Sequence, residues 1–322
     1  MPRSLLLCLV VMASAATSLA ADRATVAAKV GPDTISIAEV DHEMQNALRD
    51  RQIDDADRPV LEAQTLGLLA NRQLVIQYLK KMKLGATEAE IDQQLERFAA
   101  QLKRREITVE EQLKQLGLTK AEFRRVLAWE TGWPKYLQTK MLPDNLVKYF
   151  EQHRRDFDGT KLRVAHLLLK VAPPADQEAV QKVVDQAGEL REQIMAEKLT
   201  FAAAAKQHSQ APTAAEGGDI GLISRHEPMP EAFSEAAFEL EPGQTSEPVL
   251  TTFGVHLVHC LAVEPGKLTL RDDGVEEAVR EDLIRYLFMW VAEKQRTESK
   301  IEFTGAIPYF DLESGKLVEA NE

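Results

Sequence analysis

Lys161–Val171 reads KLRVAHLLLKV and Thr251–His259 reads TTFGVHLVH. Between them stand FAAAAKQHSQAP at 201–212, GGDIG at 217–221, EPMPEAFSEAAF at 227–238 and PGQTSEPV at 242–249. The first run is apolar and of strand length, and Val255–Val263 reads as the closing strand. Pro173-Pro174 marks a loop. Asp176 is placed to cap a helix with Val180, Val183, Ala187, Leu190 and Ile194 on one face. The Gly- and Pro-rich stretch from Ala211 to Gly254 has room only for short elements. Two strands, a helix and several short elements in about a hundred residues make an α/β segment of ordinary domain size.

Outward from that segment the texture is helical. Val26–Val40 (VAAKVGPDTISIAEV) alternates around Gly31-Pro32-Asp33 and reads as a short hairpin running into a helix. Residues 59–83 form an apolar helix, with Leu61, Leu69, Ile76 and Leu79 as core candidates and Gly85 as its stop. Thr87 with Glu90, and Thr119 with Glu122, are capping boxes. Ile91, Leu95, Phe98 and Leu102 follow the first at helical spacing, and Phe123, Val126 and Leu127 follow the second. Pro134 is expected to kink or end that helix. Pro143-Asp144 opens another, to about His153. Asp272 to about Lys300 is a long amphipathic helix with Val275, Val279, Leu283, Tyr286, Leu287 and Trp290 on its buried side. That C-terminal helix has no partner of its own. The simplest cover for it is the N-terminal helices, so the expected plan is one discontinuous helical domain (21–158 and 266–322) with the α/β domain (159–265) inserted.

Arg3, the apolar run Leu5–Met12 and Ser18-Leu19-Ala20 together read as a signal peptide of residues 1–20, cleaved after Ala20 or Ala21. The run is too short to span a bilayer. A second apolar stretch near Leu287–Val291 is broken by Arg285 and Lys294, so no transmembrane span is expected after cleavage. The expected address is therefore periplasmic or otherwise extracytoplasmic. Of the two cysteines, Cys8 falls in the leader and only Cys260 remains, which excludes an intramolecular disulfide. The 322 residues carry 39 basic and 51 acidic side chains for a net charge of −12, with 44% hydrophobic and 28% charged residues. That is a globular composition without the basic stripe of a nucleic-acid binder.

The motifs quoted above, taken in their order and spacing, resemble the parvulin (rotamase, PpiC) family of prolyl isomerases over about a third of the chain. The flanking plan, with its leader and VAAKVGPDTISIAEV start, resembles periplasmic chaperone-isomerases of the SurA type. The resemblance implies an α+β fold: a small antiparallel sheet with surrounding helices, inserted into a mainly α-helical chaperone-like domain. It maps the family's proline pocket onto Ile220, Met229 and Phe233, with Phe253 nearby. Met229 and Phe233 share a face if their segment is helical. His166 and His256 match the two histidines lying back to back beneath the family's site, and Thr251 a hydroxyl of the same network, in a role of hydrogen-bond support. One departure concerns catalysis. Where the family places Asp or Cys beside the bound amide, this chain has Ala211, with no acid between Ser209 and Glu216, which implies weakened catalysis. A second concerns specificity. The loop VAPPADQE, preceded only by Lys170, lacks the basic cluster of phosphate-directed parvulins.

Two functions compete. One is an enzyme isomerising X-Pro bonds in unfolded or nascent exported polypeptides, which the intact Ile220, Met229 and Phe233 set favours. The other is a holdase whose isomerase-like domain only docks peptides, which Ala211 favours. A metal site from His166, His208, His256, His259 and Cys260 lacks any Cys-x-x-Cys or His-Glu-x-x-His, and His256 and His259 point to opposite faces of a strand. Neither a Gly-x-Ser-x-Gly elbow nor a phosphate-cradling loop occurs. No metal, cofactor or nucleic acid is expected.

Overall fold

The computed structural model describes residues 24–48, 54–171, 177–226, 228–312 and 315–321. The expected signal peptide, the Pro173-Pro174 loop and the Asp176 cap lie outside them. In chain order the elements are β1 (Val26–Val30), β2 (Asp33–Ser36), α1 (Ile37–Leu48), α2 (Arg58–Lys81), α3 (Glu88–Lys103), α4 (Val109–Leu116), α5 (Lys120–Lys140), α6 (Pro143–Gln152) and α7 (Arg154–Phe157). There follow β3 (Lys161–Leu169), α8 (Gln177–Met195), α9 (Phe201–His208), β4 (Asp219–Ile223), α10 (Glu231–Phe238), β5 (Val249–Thr251) and β6 (Gly254–Glu264). The chain ends with α11 (Val275–Arg296), β7 (Ile301–Phe303), β8 (Tyr309–Phe310) and β9 (Leu317–Val318). They fall into two compact units, one running to Leu142 and resuming at Leu283, the other Pro143–Asp282.

The discontinuous unit is helical around a three-stranded sheet of order β2-β1-β7. Thr87 and Thr119 cap α3 and α5 in full capping boxes with Glu90 and Glu122. Thr108 and Glu111 make a third for α4, a helix the sequence reading left unassigned. Pro134 does not end α5, which continues to Lys140. An interior proline removes one backbone hydrogen bond and crowds the preceding turn. Aromatic packing on both sides offsets that loss: Trp129 stacks on Trp133 (centroids 5.4 Å), Trp133 on Tyr136 (5.6 Å), and Phe288 meets both tryptophans edge-on. On α2 only Leu79 of the four core candidates is fully buried. The core face is Leu66, Ala70, Leu74 and Val75, with Leu61, Leu69 and Ile76 half-buried at its margin. On α11, Val275, Val279, Leu283 and Leu287 are buried as expected, but Tyr286 and Trp290 are exposed. The chain end is not only helical: β7 pairs antiparallel with β1, Ala28 opposite Phe303.

The second unit is built on a four-stranded antiparallel sheet of order β4-β3-β6-β5. The two-residue period of a strand sorts its side chains. Ala165, Leu167, Leu169, Val255 and Leu257 face α8 and α9, packing on Ala187, Leu190, Phe201, Ala204 and Ala205. Leu162, Val164, Val258 and Cys260 face α10, packing on Phe233, Ala237 and Phe238. A core on each face leaves β3 and β6 buried along most of their length, which is why both read as largely apolar runs rather than as strict alternation. No helix among the described residues is long and apolar enough to cross a membrane.

Candidate functional site

On the α10 face of this sheet stand His166 and His256. His166 pairs with Val258 and Leu168 with His256, so the two histidines are diagonal neighbours on one side of an antiparallel ladder. Their rings stack at 5.6 Å between centroids and 19° between planes, and the two Nδ1 atoms face each other at 3.3 Å. Only one proton fits between facing Nδ1 atoms, so one imidazole donates and the other accepts. At the far side of His256, Nε2 lies 2.9 Å from the Thr251 Oγ1. Thr251 also accepts from the Phe253 N–H (3.1 Å). Burial holds both imidazoles below their ordinary range. His256, burdened further by neighbouring His166, is lowered to about 4. Near neutral pH the pair is uncharged and serves as a hydrogen-bonded floor.

Phe233 closes the site. It is fully buried and meets both imidazoles edge-on, at 5.8 Å from His166 and 5.4 Å from His256. Half-buried Ile220 and Met229 pack against the apolar cluster that contains Phe233. Met229 is not on the helix, however. The residue before a proline is steered away from helical backbone, and α10 starts only after Pro230. Met229 reaches the cluster from the preceding bend. Phe253 stands apart from the buried set, 63% exposed in the β5–β6 turn.

Two glycines fix this geometry. A Cβ on Gly218, at φ +84°, would lie 2.3 Å from the His166 carbonyl oxygen, while the His166 N–H donates to the Gly218 carbonyl (2.8 Å). The GGDIG turn therefore grips β3 at the histidine itself. A Cβ on Gly254, at φ +134°, would meet the Leu169 carbonyl at 2.4 Å, so only glycine lets the β5–β6 turn pass this close to β3.

Ala211 is buried, 6% exposed, in the loop that leaves α9 and runs beside β3. Its N–H donates to the Ser209 Oγ (3.2 Å), which also accepts from Leu168 N–H (3.1 Å), and the Gln210 N–H donates to the Leu168 carbonyl (2.8 Å). Ser209 is thus an anchor that sequence reasoning did not single out. The nearest acid of the GGDIG turn, Asp219, is committed to Arg163 at 2.7 Å, which holds its carboxyl below the usual range. His259 lies on the opposite face from His256, stacked on Phe201 at 4.9 Å and bonded to Thr245. Among the described residues no group of three or more His, Cys, Asp or Glu side chains is arranged to hold a metal ion.

The small antiparallel sheet, its histidine pair and the buried phenylalanine all lie within the stretch whose motifs resemble the parvulin family. Residues 166–262 match the family model of the PPIC-type PPIASE domain, and residues 4–134 that of the SurA-like N-terminal domain. The chain carries these two domains, the α+β isomerase-type domain following a helical SurA-like one. Similar proteins include the Chaperone SurA of Albidiferax ferrireducens, 38% identical over 121 residues, covering 38% of this chain and 25% of that protein. The Foldase protein PrsA of Clostridium acetobutylicum is 29% identical over 209 residues, covering 62% and 59%. The solved peptidylprolyl isomerase PrsA from Bacillus anthracis is 18% identical with a TM-score of 0.34, covering 72% and 96%. The chain spans between 25% and 59% of the length of the two curated relatives it matches here.

Proposed function

We propose that this protein is an extracytoplasmic folding factor that isomerises X-Pro bonds in unfolded exported polypeptides and also holds such chains as a chaperone. The observation that carries the reading is Phe233, fully buried and set edge-on over the stacked His166–His256 pair, with Ile220 and Met229 beside it. The barrier to X-Pro isomerisation is the partial double bond of the amide, and no nucleophile is needed to cross it. An apolar pocket that grips the proline ring removes water from the amide and favours its twisted state over both planar ones. Ile220, Met229 and Phe233 supply the grip. The uncharged histidine pair and Thr251 hold the pocket floor in shape, and no proton needs to move. The relatives named as a chaperone and a foldase, together with the PPIC-type PPIASE match, support the pairing of chaperone and isomerase.

Ala211 sets the expected rate. A methyl group cannot hydrogen-bond to the twisting amide, so catalysis is weaker than in a domain with Asp or Cys there. With Lys170 the only base leading into the VAPPADQE stretch, no preference for phosphoserine-proline is expected. A second reading, a holdase with a lapsed isomerase domain, rests on the same buried Ala211. Titration with Ala-Pro and Phe-Pro peptides, followed by the Met229 methyl and His256 imidazole NMR signals, tests the site. Both signals should move, equally for phosphorylated and plain Ser-Pro peptides. Peptides that leave both signals unmoved contradict the proposed pocket.

A further inference from the structure

One helical turn outside the matched domain holds the pocket segment at both ends. α7 lies ahead of residue 166, where the PPIC-type match begins. Its Arg155 donates through Nη2 to the Leu240 carbonyl (2.9 Å) and pairs through Nη1 with Glu241 (3.0 Å), just past the C-terminal end of α10. The next residue, Asp156, meets Arg225 Nε at 3.3 Å on the loop that enters α10. Arg225 then reaches forward through Nη2 to Glu231 Oε1 (2.8 Å), in the first turn of that helix. The Arg225 side chain is only 10% exposed, so its charge relies on the carboxylates around it, Asp156 and Glu231 in contact and Glu235 close by.

α10 needs such support. It has 8 residues and no side-chain cap at Pro230, and a helix that short does not hold itself in water. Its position is set by what grips its ends, and that position decides where Met229 and Phe233 stand over the histidine pair. A displacement near 1 Å in a site that works by orientation is enough to lower its rate strongly.

We infer that α7 is a clamp for the proline pocket, with Arg155 and Asp156 fixing the two ends of the 225–241 segment and Arg225 acting as the positioning residue for Met229 and Phe233. This deepens the isomerase reading and rests on it for the pocket's role. The test uses the full chain with labelled Met methyl groups. Arg225→Lys keeps the charge but loses the planar fork. Its kcat/KM for X-Pro exchange should fall about tenfold, more through KM than kcat, and the Met229 methyl signal should shift or broaden. The exchanged pair Asp156→Arg with Arg225→Asp should recover part of both. Arg280→Gln, which breaks an exposed pair with Glu276 on α11, should move neither. If Arg225→Lys does not fold, Asp156→Asn, which keeps shape and removes charge, gives the same reading. Folded clamp variants with parental kcat/KM and an unmoved Met229 signal would overturn the clamp. If the parent itself does not accelerate exchange, the catalytic reading fails, and the Met229 signal alone decides the clamp.

Discussion

Acid should loosen the sheet unit through its histidine pair, and His256 supplies the magnitude. Its proton affinity falls from an ordinary 6.5 to about 4 on folding, because burial and neighbouring His166 oppose its charge. At about 1.4 kcal/mol for each tenfold change, that is worth about 3 kcal/mol. The folded state prefers the neutral ring, so this stability is fully present above pH 6.5. It drains away as pH falls from 6.5 towards 4, where the unfolded chain takes up the proton more readily. His166 and His259, also lowered by burial, act in the same direction. Asp156, raised by burial, acts in the opposite one, so the comparison must be between parent and variant. The three tryptophans, Trp129, Trp133 and Trp290, all lie in the other unit and do not report on this one. Urea unfolding at pH 7, 5.5 and 4, followed by the methyl signals of Leu167 and Leu257, reads it instead. The parent should lose about 3 kcal/mol more than His256→Asn between pH 7 and pH 4. Parallel losses in parent and variant would refute the reasoning.

Ala211→Asp should raise the rate of X-Pro exchange by restoring a polar group beside the amide; an unchanged rate in a folded variant counts against the assigned role of that position. Gly218→Ala puts a Cβ 2.3 Å from the His166 carbonyl at positive φ, so it should destabilise the sheet unit by about 2 kcal/mol or more, measured by urea unfolding. Thr108→Ala removes a capping box and should cost about 1 kcal/mol, seen as faster amide exchange through α4 with α3 unaffected.

Much of this was legible because the signals are local. The hairpin at 26–36 shows in its alternation, α3 and α5 in their Thr-x-x-Glu starts, and the histidine pair in two strand-like runs, the first carrying His166 and the second His256 beside His259 on the other face. What was missed depends on distant partners. β7 is three residues long and exists because β1 lies beside it, which no neighbour in sequence announces. Of the kink or end expected at Pro134, the end does not occur, because aromatic packing outweighs the local preference. Tyr286 and Trp290 belong to the apolar stripe by spacing, yet the buried side is set by what covers the helix. Ser209 stands in a quoted motif that gives it no role, and Arg225 carries no motif at all. Their roles appear only once Leu168 and Asp156 are brought to them. Thr108 and Glu111 are the exception, a local signal of the same form as the two that were read.

The central question is whether the Phe233 site turns X-Pro bonds. Cis-trans exchange spectroscopy on short Ala-Pro, Leu-Pro and Phe-Pro peptides measures this directly, with the parent compared against Met229→Ala and Phe233→Ala. The parent should accelerate exchange, and both variants should lose that acceleration. No acceleration by a folded parent, or acceleration that survives both substitutions, would contradict the isomerase reading.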